Sequence, residues 1–176
     1  MMDIEIVNEI DLSPAQDQEI AALLHEAFGA EFGWRSFFQQ RHHLRLIART
    51  DGKMAGHVAL TYRVIGQGGK MIPIVGLAEV ATDKSYRGQG VARTLVTKSL
   101  DIARGSPAEF ALLFGDPVHY HRYGFHTAAN SLRSLDLENG VSKGIKVAPD
   151  DCFMIAATGD AIWNSLAEVD LMGRKF

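Results

Sequence analysis

The chain has 176 residues, of which 47% are hydrophobic and 22% charged, a composition typical of a soluble globular protein with one core. Its single cysteine excludes an intrachain disulfide, and its net charge of −3 argues against nucleic acid as a partner. The first residues have neither a basic nor an apolar region, so we expect no secretory signal, and the longest apolar run is too short to cross a bilayer. We therefore expect a cytoplasmic protein with no membrane partner, organised as a single domain over residues 1–176.

The first half of the sequence predicts a strand, a helix and an antiparallel meander. Alternation over residues 4–8 predicts the strand. The helix begins after Ser13, which forms a capping box with Gln16, and it ends at Gly29. The elements predicted next are a short helix over 34–42 and strands over 44–49, 54–65 and 71–82, with a hairpin turn at Asp51-Gly52.

After residue 82 the hydrophobic period changes from two to that of a helix. Apolar residues on one face predict a helix over 90–104, which Gly105 and Pro107 end. The remaining predicted elements are a strand over 109–114, a short helix from Asp116-Pro117 to Gly124, and weaker strands over 131–137 and 152–157. We predict an α/β (α+β) fold, with a mixed, mostly antiparallel sheet of six or seven strands flanked by helices.

The segment 82–92 carries the clearest chemical signal, because a glycine-containing loop there joins a strand to a helix. Gly88 and Gly90 let backbone amides approach a ligand, and Arg87 adds a cation at the helix N-terminus. These features predict a pyrophosphate site. A Walker loop would need a Gly-Lys-Ser/Thr ending, and a Rossmann fingerprint would need glycine or alanine at Arg93, so neither nucleotide motif fits.

Arg87, Gly90 and Ala92 spell Arg-x-x-Gly-x-Ala, which resembles the acetyl-CoA signature of the GCN5-related N-acetyltransferase (GNAT) superfamily. Tyr120 to Phe125 resembles that family's Tyr-x-x-x-Gly-Phe segment, and the order of elements matches over about residues 3–137. The resemblance implies acetyl-CoA contacts at Val80, Ala81, Thr82, Arg87, Gly88, Gln89, Gly90, Val91 and Ala92. It also implies that a backbone amide near Val80 or Ala81 stabilises the oxyanion.

The same resemblance implies transfer of an acetyl group from CoA to a primary amine. Tyr120 is the candidate general acid, because its phenol carries a proton at neutral pH. Glu79 is the candidate base, since burial in an apolar strand is expected to raise its pKa. The alternatives for Glu79 are an outward-facing side chain and a buried ion pair. A β-bulge is needed to direct Glu79 toward the site. His57 and His119 are the reserve candidates for the base.

Four short segments resemble the aminoglycoside 2′-N-acetyltransferases; they are 27–32, 56–59, 86–90 and 170–176. This narrower resemblance implies that the carboxylate of Phe176 reaches the substrate pocket. We expect a small-molecule amine as acceptor and no metal, and the sequence leaves a homodimer open. One alternative is a non-catalytic acyl-CoA sensor, which would not need an acid at Tyr120. The other is an acyltransferase that transfers a longer acyl chain.

Several further residues are assigned structural roles. Cys152 lies in an apolar stretch and is expected to be a small core residue rather than a nucleophile. The aromatic side chains of Trp34, Phe37 and Phe38 are likewise expected in the core. The pair His42-His43 is expected to lie in solvent.

Overall fold

The computed structural model describes all 176 residues. The chain forms three α-helices, which are α1 (Pro14–Phe28), α2 (Val91–Arg104) and α3 (Pro117–Tyr120). Its ten strands are β1 (Met2–Asn8), β2 (Leu44–Thr50), β3 (Lys53–Gln67), β4 (Lys70–Thr82), β5 (Phe110–Phe114), β6 (His126–Thr127), β7 (Leu132–Glu138), β8 (Val141–Ala148), β9 (Phe153–Ala157) and β10 (Val169–Asp170). None of the helices combines the length and the apolar character needed to cross a bilayer.

The strand pairings are mixed and mostly antiparallel, as the sequence predicts. Only β4 with β5 and β7 with β10 pair in parallel. The number of strands exceeds the six or seven expected, because β6, β8 and β10 are additional. Two of these have two residues each, and β8 is exposed along most of its length, so neither buried alternation nor length could reveal them.

Helix α1 begins where its sequence signals place it. The Ser13 hydroxyl accepts the Gln16 amide at 3.2 Å, and the Gln16 side chain accepts the Ser13 amide at 3.0 Å. This capping box satisfies two of the amides that a helix start leaves unpaired. The helix ends at Gly29, whose φ of 76° is readily available only to glycine.

The residues fall into two compact units. The first unit contains Met1–Thr61 and Ala78–Ser99. Its strands β1, β2 and the first part of β3 pair in antiparallel order, and Asp51 and Gly52 make the predicted hairpin turn with φ of 51° and 77°. Its core joins the buried face of α1 to the sheet through Ile20, Leu23, Leu24, Phe32, Ile47 and Ala81.

The second unit contains Tyr62–Leu77 and Leu100–Phe176. The first part of β4 lies parallel to β5, from Ile74 opposite Phe110 to Leu77 opposite Leu113. Pairing of β4 with β5 stops there, although β4 continues to Thr82. The core of this unit consists of Ile65, Ile72, Ile74, Phe110, Leu112, Ala128, Leu132, Phe153, Val169 and Leu171.

The helix predicted over 34–42 does not form. Trp34 has a φ of 60°, which no α-helix accommodates. The backbone amide of Phe38 instead donates to the Glu79 carboxylate at 2.9 Å. Tertiary hydrogen bonds therefore replace the helical ones, and the local pattern could not predict partners so distant along the chain.

Three expectations about burial are also wrong. Trp34 is 66% exposed and Phe38 is 39% exposed, so these aromatic rings do not lie in the core. Cys152 is exposed because it sits in a turn before β9, where its amide donates to the Asp150 side chain. His42 is buried rather than solvated, with 6% of the residue exposed.

Candidate active site

The loop before α2 has the backbone shape that the sequence predicts. A turn of 3₁₀-helix over Lys84–Tyr86 follows Asp83, whose side chain accepts the Ser85 amide at 2.8 Å. Gly88 and Gly90 then adopt φ of 75° and 82°. Side chains other than those of Asn and Asp rarely tolerate this region, so both glycines are needed for the turn into the helix.

The start of α2 contains a group of backbone amides that have no hydrogen-bond partner within the protein. The first helical bond is donated by Thr94 to the Gly90 carbonyl at 2.9 Å. Within residues 88–93, the amides that make no hydrogen bond in the protein are those of Gly88, Gly90, Val91, Ala92 and Arg93. Arg87 is exposed beside them, whereas the Gln89 side chain donates to the Ser85 carbonyl. This arrangement can bind an oxyanion such as a phosphate.

Gly56 on β3 sets how closely α2 packs on the sheet. A Cβ atom at this position would lie 2.6 Å from Val91 Cγ1 and 2.9 Å from the Ala81 carbonyl oxygen. It would also lie 3.1 Å from Leu95 Cδ1. The first turn of α2 therefore rests directly on the backbone of β3, and this contact fixes where the unpaired amides are held.

Strand β4 is irregular at Glu79, which has a φ of 55° within an otherwise extended strand. The Glu79 carbonyl oxygen lies 3.1 Å from His57 Nδ1 on β3. Residues Val80, Ala81 and Thr82 follow this irregularity and lead to the loop. A left-handed residue costs about 1–2 kcal/mol, so the surrounding contacts must maintain it. A backbone irregularity at this position can turn the Glu79 side chain to the other face of the strand, which is the effect that the expected β-bulge would have.

The Glu79 carboxylate is only 6% exposed and has three partners. It accepts the Phe38 amide at 2.9 Å and Arg45 Nη1 at 2.8 Å, and His42 Nε2 lies 3.1 Å away. The His42 contact has ion-pair distance without the alignment of a hydrogen bond. Burial would raise the pKa of Glu79, but the His42 ring, the Arg45 charge and the Phe38 amide together hold it below its ordinary value. The expectation of a raised pKa is therefore wrong.

Arg45 is the centre of this buried cluster, and sequence analysis did not identify it. The fully buried guanidinium bridges Glu79 and Glu9, with Nε 2.5 Å from Glu9 Oε2. His57 Nε2 lies 3.3 Å from Arg45 Nη1. Burial first, and then the Arg45 charge, lower the pKa of His57 to about 3, so its ring is neutral at physiological pH. The available signal was the charged Arg45 inside the apolar alternation of a predicted strand.

Tyr120 belongs to the second unit, at the end of α3. Its ring is partly buried and packs against Gly115, where a Cβ atom would lie 2.5 Å from Tyr120 Cε2. Its ring centroid lies 6.2 Å from that of Phe125, with the two rings edge to face. Burial, and then the neighbouring Tyr123, raise the pKa of Tyr120 above its ordinary value. The phenol is therefore protonated at neutral pH, while the reserve residue His119 is exposed.

The segment Leu171–Phe176 is fixed within the second unit. Arg63 donates to the carbonyl oxygens of Leu171 and Arg174 at 2.5 and 2.8 Å. The Phe176 ring lies against Gly76, where a Cβ atom would meet ring atoms at 2.6 Å. The segment is thus held by specific contacts, and the role of the Phe176 carboxylate stays a prediction.

The loop and helix start after β4 form an anion site at the position where the resemblance to the N-acetyltransferases places their acetyl-CoA signature. The model of the acetyltransferase (GNAT) domain family matches residues 11–128, and the chain belongs to this family. Two curated Escherichia coli K12 relatives are the uncharacterised N-acetyltransferases YhbS, 39% identical over 88 residues, and YjhQ, 31% identical over 87 residues. Each match covers 49% of this chain, and the chain spans about half the length of these relatives, 52% and 48%.

Solved structures show the same fold over most of the chain. The structure of Escherichia coli YhbS in complex with CoA is 28% identical, covers 95% of this chain and 88% of that one, and has a TM-score of 0.66. A GNAT acetyltransferase from Brucella melitensis in complex with acetyl-CoA is 21% identical, covers 94% of this chain and 95% of that one, and has a TM-score of 0.61. The predicted fold class and family are therefore confirmed.

Proposed function

We propose that the chain binds acetyl-CoA and transfers the acetyl group to a primary amine of a small molecule. The observation that carries this proposal is the set of unpaired amides between Gly88 and Arg93. They would hold the diphosphate, with Arg87 as an additional cation. Residues 80–82 would line the pantetheine arm, because pairing of β4 with β5 has ended before them.

Transfer by direct attack needs a base, an oxyanion donor and an acid. The amine nitrogen forms a bond to the thioester carbon, and the bond from that carbon to sulfur then breaks. The amide of Val80 or Ala81 would stabilise the oxyanion. Tyr120 would protonate the departing thiolate, and its raised pKa keeps that proton on the phenol until it is needed.

Glu79 would accept a proton from the amine, directly or through water. Its lowered pKa means that the carboxylate is ionised and ready to accept, although it is a weak base on its own. Its fixed contacts with Phe38 and Arg45 preclude large movement of the side chain. Any proton that reaches Glu79 must therefore move on for the next turnover.

Replacement of Gly90 tests the diphosphate site. Gly90→Asp and Gly90→Asn differ in charge but hardly in size, and Asn and Asp both tolerate positive φ. A Cβ atom here meets no atom within 4 Å, so neither variant clashes with the protein. Calorimetric titration with CoA should show Gly90→Asp at least about a hundredfold weaker than Gly90→Asn, because a charge lies beside the diphosphate. Equal affinities of the two variants would contradict the proposal.

Turnover distinguishes an enzyme from a sensor. Thiol release from acetyl-CoA is measured with a panel of primary amines, and we expect at least one amine to be acetylated. Binding of CoA without turnover of any amine would favour the acyl-CoA sensor. Faster thiol release from a longer acyl-CoA than from acetyl-CoA would favour the alternative in which the enzyme transfers a longer acyl chain.

A further inference from the structure

Three phenylalanine rings pack together at the surface of the first unit. Phe32 is buried and belongs to the core of that unit, with 6% of the residue exposed. Its ring centroid lies 5.2 Å from that of Phe28 and 5.6 Å from that of Phe38. Phe28 and Phe38 are themselves 42% and 39% exposed. These three residues are called the aromatic surface below.

The outer rings of the aromatic surface are left open to solvent. Phe28 and Phe38 keep their exposure in the complete chain, so no other part of the protein covers them. The neighbouring Phe37 differs, because its ring centroid lies 4.8 Å from the guanidinium carbon of Arg41. Adjacent exposed rings that rest on a buried one are typical of a surface on which a ligand packs.

The aromatic surface lies directly beside the Glu79 carboxylate, which belongs to the same unit. The Phe38 amide donates to Glu79 Oε1 at 2.9 Å. Ordinary bond lengths therefore keep the centroid of the Phe38 ring within about 8 Å of this oxygen. Arg35 Nη2 donates to the Phe38 carbonyl at 3.1 Å, so the backbone that carries the ring is held at both of its polar groups. A molecule with a nitrogen near Glu79 thus has a fixed aromatic ring within reach.

We propose that the acceptor is a primary amine joined by a short chain to an aromatic ring, and that this ring packs on Phe28 and Phe38. The inference rests on the proposed function, in which Glu79 accepts a proton from the acceptor directly or through water. A chain of two or three carbon atoms suffices, because aromatic rings pack at centroid distances of about 4.5–7 Å. Such packing removes apolar surface of both partners from water, whereas a polyamine has no ring to place there.

Substrate preference tests the proposal, because a loss of folded protein lowers all rates equally and leaves their ratio unchanged. Thiol release gives kcat/KM for 2-phenylethylamine, butylamine and spermidine. We expect 2-phenylethylamine to exceed the other two at least about tenfold. Phe38→Leu should reduce this preference about fivefold or more, with unchanged affinity for CoA. Phe37→Leu makes the same change at the ring beside Arg41 and should keep the wild-type preference.

A second measurement needs no turnover: the aromatic ¹H signals of Phe28 and Phe38 are followed in the CoA complex. Added 2-phenylethylamine should shift them, and butylamine at the same concentration should not. Faster turnover of butylamine or spermidine, or an unchanged preference in Phe38→Leu, would overturn the proposal and leave acetyl transfer intact. Shifted ring signals without acetylation of any amine would support the aromatic surface and remove the proposed function. If neither shifts nor turnover are observed, both are removed.

Discussion

Gly56→Ala tests how the contact between β3 and α2 positions the unpaired amides. The added methyl group would lie 2.6 Å from Val91 Cγ1, whereas non-bonded carbon atoms prefer about 3.5–4.0 Å. Helix α2 must therefore move by about 1 Å, because the Ala81 carbonyl on the other side belongs to a strand. Overpacking of this kind costs about 1–3 kcal/mol. We expect that loss of stability, together with weaker CoA binding.

Urea unfolding measures the first effect and calorimetric titration with CoA measures the second. Gly159→Ala is the matched control, since a Cβ atom there meets nothing within 4 Å. Adding Val91→Ala to Gly56→Ala removes the nearest clash and should recover part of the stability. Wild-type stability and CoA affinity in Gly56→Ala would refute the argument that this contact sets the position of the helix.

Three further predictions concern the buried groups. Tyr120→Phe should lower kcat by about 10²-fold or more with unchanged CoA affinity, and a variant as fast as the wild-type protein would remove the acid role. Arg45→Met leaves Glu9 and Glu79 without their shared cation and should cost about 3–5 kcal/mol in urea unfolding; a loss below about 1 kcal/mol would contradict this account of the cluster. His57 has a pKa of about 3 when folded and about 6.5 when unfolded, so the unfolded chain binds more protons as pH falls between those values. Stability should therefore fall by roughly 2 kcal/mol more between pH 7 and pH 5 in the wild-type protein than in His57→Asn, and equal losses would show that His57 is not buried neutral.

The sequence predicted those elements that are determined by interactions between neighbouring residues. The capping box at Ser13, the hairpin at Asp51-Gly52 and the glycine loop before α2 each need particular residues at particular backbone angles. These three features are present in the structure as predicted. The fold class and the family could also be predicted, because the loop motif and the order of the elements depend on such signals.

The cluster around Glu79 could not be predicted in the same way. Its members come from residues far apart in the chain, such as Glu9, Arg45 and Glu79, and only the folded sheet brings them together. For the same reason, the sequence could not predict that residues 34–42 form no helix or that His42 is buried: both depend on contacts with Glu79, which is distant along the chain. The sequence indicated that Glu79 is buried, but its low pKa depends on partners that no local pattern reveals.

The central claim is that the amides at the start of α2 hold the diphosphate of CoA. Titration followed by ¹H–¹⁵N correlation spectra tests it most directly, with pantetheine, which lacks the diphosphate, as the comparison ligand. CoA should shift the amide signals of Gly88, Gly90, Val91 and Ala92, and pantetheine should leave them in place. If CoA leaves these four signals unmoved, the diphosphate does not bind at this helix and the account is contradicted.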